Sequence, residues 1–257
     1  MVFCDTHIHL LAPEWSSPVD ERIAAAQAAR IGYLVQPGVR VTDWQALLAL
    51  ARRHPRVYAA PGVHPAYAGQ WNSVSAACLR RLTEDPRVVA VGEIGLDAAC
   101  GRDLGEQEAV LRAQLAVALE ARLPVLLHGR RATGALLDIL CQMKIGARVG
   151  GIWHGFSGSL EVARQLVEEG FLIGVGPVLL RANARKLPRV VSTLPATALV
   201  LETDAPDMAS GPQVLLDVAQ RIACLRGWTL NETARITTDN TLRLLQRMEK
   251  PIAGRDQ

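Results

Sequence analysis

Two histidines separated by one residue, His7 and His9, follow Asp5 near the start of the chain in the string Asp5-Thr6-His7-Ile8-His9. Alternate residues of an extended strand share a side, so Asp5, His7 and His9 are expected to project into one interior. Cys4, Thr6 and Ile8 would then face packing helices. Two such imidazoles can chelate a cation, and Asp5 can orient a ring from behind, as metal-bound histidines require. An isolated H-x-H suits a core or surface histidine equally well, and Asp5 suits a hydrogen bond to backbone. Glu93 ends the apolar run Val88–Gly92, where a carboxylate is costly to bury without a cation or strong donors; an arginine would serve as well as a metal. His128 and His154 each close another apolar run. Glu202 and Asp204 share parity in Leu199–Pro206, where paired carboxylates repel each other unless a cation intervenes. Asp204 therefore reads as a ligand and Glu202 as support for a neighbouring imidazole or donor, with a structural ion pair as the alternative. A histidine and carboxylate set without sulfur fits Mg2+, Mn2+ or Zn2+.

These residues need elements to carry them. Eight short apolar runs occur, at Val2–His9, Ile31–Pro37, Val57–Pro65, Val88–Asp97, Pro124–His128, Gly151–Phe156, Phe171–Pro177 and Ala198–Pro206. Between them lie Ala/Leu/Arg-rich stretches of helical spacing, among them Asp20–Arg30, Asp43–His54, Glu106–Arg122 and Leu160–Glu169, and the chain closes with Val214–Arg226 and Asn231–Met248. Gly32, Pro55, Pro86, Pro124, Gly170 and Pro195 stand where helices should stop or strands begin. The alternation predicts repeated βα units. Eight of them match a (β/α)8 TIM barrel of the α/β class, with an open α/β sheet as the alternative. No G-x-G-x-x-G follows any predicted strand. In a barrel the site forms at the C-terminal ends of the strands, where five of the six histidines fall.

Composition narrows the class. The 257 residues are 49% hydrophobic and 21% charged, without an apolar stretch of membrane-span length or a secretion signal. A single domain over residues 1–257 is expected. Five scattered cysteines lack a C-x-x-C pair, so neither a disulfide framework nor a thiolate zinc site is predicted, and a reducing cytoplasm fits. A net charge of +3 is mild encouragement for an anionic substrate and far from a basic stripe. No oligomeric interface is legible.

The motifs in combination resemble those of the TatD family of metal-dependent deoxyribonucleases. They are DTHIHL at Asp5–Leu10, GVHP at Gly62–Pro65, VGEIGLD at Val91–Asp97, LPVLLHGRR at Leu123–Arg131, GGIWHGFSGS at Gly150–Ser159, LIGVGP at Leu172–Pro177, LETDAP at Leu201–Pro206 and TTDN at Thr237–Asn240. The resemblance implies two divalent ions. His7, His9, Glu93 and Asp204 would hold one, Glu93, His128 and His154 the other, with Glu93 bridging. It implies that His64 contacts the scissile phosphate or leaving oxygen, and that Asp204 accepts the proton of the attacking water. The implied activity is 3′-to-5′ exonuclease cleavage of DNA, or RNA, ends. Arg130, and with it Arg131, Arg181, Arg185 and Lys186, follow strands five and seven and are candidates to steer a nucleic-acid backbone. Few aromatics (4%) predict phosphate-dominated, sequence-tolerant binding. The rival is ester or amide hydrolysis, as in a D-aminoacyl-tRNA deacylase or a small-molecule amidohydrolase. Departures are a short loop after Met208, Gly129 where relatives carry serine, and Leu244-Leu245 where a phenylalanine is frequent.

Overall fold

A computed structural model describes residues 2–248; the remaining residues of the expected 1–257 domain lie outside the described residues. Eight parallel strands alternate with helices in chain order. The strands are β1 (Phe3–Asp5), β2 (Ile31–Pro37), β3 (Val57–Ala60), β4 (Val91–Asp97), β5 (Val125–Arg130), β6 (Gly151–Trp153), β7 (Phe171–Val175) and β8 (Leu199–Leu201). The helices are α1 (Val19–Ala28), α2 (Trp44–Arg53), α3 (Ser73–Leu82), α4 (Leu104–Ala121), α5 (Thr133–Gln142), α6 (Ile145–Arg148), α7 (Leu160–Glu168), α8 (Lys186–Thr193), α9 (Val214–Arg226) and α10 (Leu230–Leu244).

Continuous pairing runs β1-β2-β3 and β4 through β8. Backbone hydrogen bonds close both seams, Val89 N–H to Ala59 O (3.0 Å) and Gly92 N–H to Pro61 O (3.1 Å) at one, Thr6 N–H to Leu201 O (2.9 Å) and Asp204 N–H to His7 O (2.8 Å) at the other. The result is the barrel predicted rather than an open sheet, and closure leaves no free edge. Tyr33, Val35, Leu126, Ile152 and Val200 fill the interior, and Leu245 and Met248 pack into the same cluster. Residues of opposite parity, such as Leu34, Val125, Leu127 and Leu201, pack outward with the helices.

The TTDN string proves structural. Thr238 donates its hydroxyl to Val2 O (3.1 Å), and Asn240 Nδ2 donates to Ala196 O and Leu199 O (both 2.8 Å). These bonds tie α10 to the starts of β1 and β8. Gly129 is required by packing, since a Cβ there would collide with the Trp153 ring.

Two sequence expectations need correction. Strands β1, β3, β6 and β8 end several residues earlier than predicted, so His7, His9, His154 and Asp204 stand on the loops just past strand ends. Parity therefore does not run through Asp5, His7 and His9, and a register shift between Phe3 and Cys4 resets it inside β1. Cys4, expected to face the helices, packs in the interior with Tyr33 and Val200 instead. Among the described residues no helix is long and apolar enough to cross a membrane.

Candidate metal centre

β4 sets Glu93 at the middle of the barrel mouth, where it is 3% exposed. Its Oε1 lies 2.8 Å from His128 Nδ1 and 2.7 Å from His154 Nε2, and those two nitrogens are 3.1 Å apart. Its Oε2 lies 3.4 Å from His7 Nε2 and 3.7 Å from His9 Nε2. Asp204 Oδ1 completes that side, 3.7 Å from His7 Nε2 and 3.2 Å from His9 Nε2. One carboxylate thus turns an oxygen to each of two donor groups, and the structure brings together all six predicted ligands.

Asp204 reaches this place through a left-handed backbone conformation, φ 49°, which aspartate tolerates better than most residues. The Asp204 N–H to His7 O bond fixes the loop after β8 against the loop after β1.

The donor set is unsatisfied by protein alone. His7 Nε2 and His9 Nε2 face each other at 3.2 Å, a placement that a shared proton or a cation must mediate. The His7 and His154 rings stack at 3.9 Å between centroids. Buried polar atoms without a hydrogen-bond partner include His7 Nδ1, His128 Nε2, His154 Nδ1, Glu202 Oε2 and Asp204 Oδ1. The three imidazole nitrogens among these lie on the far sides of rings whose other nitrogen faces the centre; Asp204 Oδ1 is the atom that faces the donor set and lacks a partner there, and buried polar groups are normally paired. Three overlapping groups could hold an ion: His7, His9 and Asp204; His7, Glu93 and His154; and His64, Glu93 and His128. The residues therefore fit divalent metal.

Electrostatics agree. Burial would raise Glu93, but the imidazoles of His154, His7 and His64 and a hydrogen bond with His128 hold it well below the usual carboxylate range. Burial would also raise Asp204, and His9, His154 and His7 outweigh it to keep the group low. Burial pulls His154 down, yet Glu93, Asp204 and Glu202 lift it to about 10. The surrounding imidazoles thus favour the charged form of both carboxylates.

His64 precedes the short helix Pro65–Gln70. Its Nδ1 accepts the Ala66 N–H at 3.1 Å, and burial lowers its pKa to about 4. A neutral ring that accepts at Nδ1 carries its proton at Nε2, and that atom lies 3.8 Å from Glu93 Oε1. His64 is thus a hydrogen-bond donor at the edge of the donor set. The helix cap and the site position are two faces of one ring.

Asp5 takes the backbone alternative of the two open to it, and Glu202 supports a neighbouring donor as expected. Asp5 touches no imidazole; its Oδ1 accepts from His7 N–H (3.2 Å) and Thr203 N–H (3.0 Å), and its Oδ2 accepts the Thr203 hydroxyl (2.6 Å). It latches β1 to β8 and fixes the backbone that presents His7. Glu202 Oε1 accepts the Gly155 N–H at 2.5 Å, holding the turn after His154, and burial raises it to about 8. Arg130 is 63% exposed, 4.0 Å from Asp97 Oδ2, and stands outside the cavity over the centre. Arg131, Arg181, Arg185 and Lys186 are exposed and also outside it.

Sequence reasoning missed Asp97, Gln107 and Gln114. Asp97 Oδ2 lies 3.4 Å from His128 Nε2, behind the ring whose Nδ1 faces Glu93. The signal was available, since Glu93, Gly95 and Asp97 share parity along β4. Gln107 donates to Asp97 O (3.1 Å) and accepts from Asp97 N–H (2.8 Å). Gln114, two turns on along α4, does the same with Val63, beside His64 (3.1 and 2.7 Å). Nothing in the sequence marks a buried glutamine as a backbone clamp. Asp97→Asn should weaken metal affinity roughly 10- to 100-fold while the fold persists, because partners behind ligating histidines contribute that much. Competition with a fluorescent chelator measures it, and an unchanged affinity removes Asp97 from the centre.

The family profile described as TatD related DNase matches residues 4–246. The chain belongs to this family. Relatives include an uncharacterized metal-dependent hydrolase, YabD, of Bacillus subtilis, 34% identical over 251 residues that cover 94% of this chain and 98% of the relative. A protein of Erwinia tasmaniensis described as the 3′-5′ ssDNA/RNA exonuclease TatD is 34% identical over 255 residues, covering 93% and 98%. Among TatD-family structures, the crystal structure of the Escherichia coli K12 homologue YjjV superposes with a TM-score of 0.87 at 35% identity, covering 94% of this chain and 97% of that one.

Proposed function

We propose that this chain is a metal-dependent hydrolase that cleaves phosphodiester bonds at the ends of DNA, or RNA, strands. Two divalent ions (Mg2+, Mn2+ or Zn2+) would be held by His7, His9, Glu93, His128, His154 and Asp204. The carrying observation is Glu93, whose Oε2 faces His7 and His9 while its Oε1 faces His128 and His154. That posture suits a carboxylate shared between two cations. Ions held there acidify water and offset charge on a phosphoryl group.

The side chains do the rest. Asp204, kept ionised by its histidine neighbours, accepts the proton of the attacking water. His64 turns its Nε2–H toward the phosphoryl or leaving oxygen. Asp97 steadies the His128 ring, Asp5 the His7 backbone and Glu202 the turn after His154. Arg130, at the rim, contacts the strand backbone. The description of the Erwinia relative supports nucleic acid as substrate and the 3′-to-5′ direction. The reading treats the barrel as one catalytic domain in a reducing, cytoplasmic setting, in keeping with five free thiols.

The test is degradation of end-labelled single- and double-stranded DNA and RNA after chelation and metal add-back, with mischarged tRNA in parallel. A metal-dependent ladder shortening from the 3′ end is expected. Release of amino acid from the tRNA with no shortening of any strand would overturn the proposal in favour of the acyl-ester rival.

Metal uptake should also release a proton. Metal-free His154, lifted from 6.5 to about 10, is protonated at neutral pH, whereas a ligand must be neutral. Apparent affinity should therefore rise about tenfold per pH unit across neutrality for each proton displaced. Calorimetry in buffers of differing ionisation enthalpy counts that proton. The same shift stabilises the metal-free fold below pH 6.5, and that stabilisation is lost as pH rises to about 10.

A further inference from the structure

The cavity over the metal centre encloses about 620 Å3 and is lopsided. Beyond the donor set, its walls come from the segments after β1, β2, β3 and β8, and none from the basic loop after β7. Arg40 is the one Lys or Arg among its lining residues, while Glu14, Asp43 and Asp207 line the same space. An incoming anion therefore meets one positive place on the wall apart from the metal centre.

Arg40 is pinned there. Its Nη2 donates to Tyr67 Oη at 2.8 Å, and its guanidinium carbon stands 4.7 Å from the centroid of the Tyr67 ring. Tyr67 lies three residues after His64, on the short helix that His64 caps, so the pair is held in fixed relation to the proposed leaving-group donor. Among the described residues Arg40 makes no ion pair, although Asp43 and Glu14 act on its charge from farther away. A guanidinium has five N–H donors in a planar fork suited to a phosphate. Here one is spent on Tyr67 and the others remain for a ligand.

Resting on the phosphodiesterase reading, we propose that Arg40, braced by Tyr67, anchors a second phosphate of the substrate, one nucleotide away from the phosphate at the metal centre. The preferred substrate class is then a nucleic-acid end bearing at least two phosphates rather than a lone diester. Asp43 and Glu14 stand close enough to act on the charge of Arg40, and with Asp207 they leave the guanidinium as the place on the wall that attracts a phosphate, which fixes the register of the strand end. Arg40 acts on binding and leaves the chemistry to the metal centre.

Steady-state kinetics on the thymidine dinucleotide with one phosphate (TpT) and on its terminally phosphorylated forms (pTpT and TpTp) test this. In the metal-loaded wild type, one of the two phosphorylated forms should exceed TpT in kcat/KM by roughly tenfold or more, the scale of a charge-assisted hydrogen bond. In Arg40→Ala that ratio should fall to about one, in Arg40→Lys it should be intermediate, and Tyr67→Phe should reduce it by loosening the brace. A ratio unchanged by Arg40→Ala, or no gain from either added phosphate, overturns the proposal. Binding gives a second readout by calorimetry of the nucleoside bisphosphate pTp and the monophosphate pT on Mn2+-loaded protein. The preference for pTp should collapse in Arg40→Ala, and an equal preference in both proteins overturns the anchor. Arg40-dependent preference for pTp without hydrolysis of any dinucleotide would instead sink the phosphodiesterase reading and leave the anchor standing.

Discussion

Glu93→Gln should empty both halves of the metal centre and lower turnover of any phosphodiester on the order of 10^3-fold or more. The substitution keeps the shape of the side chain and removes its charge, and Glu93 faces four of the five other proposed ligands within 3.7 Å. An amide offers one carbonyl oxygen in place of two carboxylate oxygens, so at least one half loses its acceptor outright. The remaining half keeps an acceptor without net charge. Elemental analysis after gel filtration should find wild type carrying metal and the variant carrying little, with the circular-dichroism spectrum unchanged. A variant that binds metal as wild type does would remove Glu93 from the bridging position. Stability of the metal-free protein is informative alongside, because the substitution also removes the anion that holds the His154 proton. Metal-free Glu93→Gln should therefore lose the alkaline sensitivity ascribed to His154.

Asp204→Asn separates binding from chemistry. Asp204 is one member of the His7 and His9 side, and its Oδ1 is buried without a hydrogen-bond partner. Asparagine retains an oxygen that can face a cation yet cannot accept a proton at neutral pH. The expected result is a loss of about 10^2- to 10^4-fold in kcat, the range for removing a general base, with the metal of the His128 and His154 side retained. A kcat near wild type with metal content unchanged would contradict the assignment of the base. A mere rise in KM at constant kcat would recast Asp204 as a binding group.

His128 and His154 end apolar runs, Glu93 interrupts one, and each is conspicuous because burying it without a partner is unfavourable. That reasoning is local, and so were the successes: eight strands, the extents of α2, α4, α7 and α9, and the strand-end positions of the ligands. Strand ends were placed too late because His7, His9 and Asp204 continue an extended-looking pattern after the ladder has stopped. A ladder stops where neighbouring strands stop pairing, and pairing is not a property of one segment.

Residue types and their periodicity were enough to determine, from the chain alone, a parallel barrel with a histidine and carboxylate mouth. Only the tertiary structure decided which Glu93 oxygen meets which imidazole, and the pairing of β4 with β5 that Asp97 stands behind His128. The tertiary structure also decided that Asp5 latches β1 to β8, that Gln107 and Gln114 clamp backbone, and that Arg40 rather than Arg130 faces the cavity. The physical reason is distance along the chain. Hydrophobic periodicity reports the face of an element, whereas these contacts join positions up to 198 residues apart, and they exist only once packing has set the elements side by side.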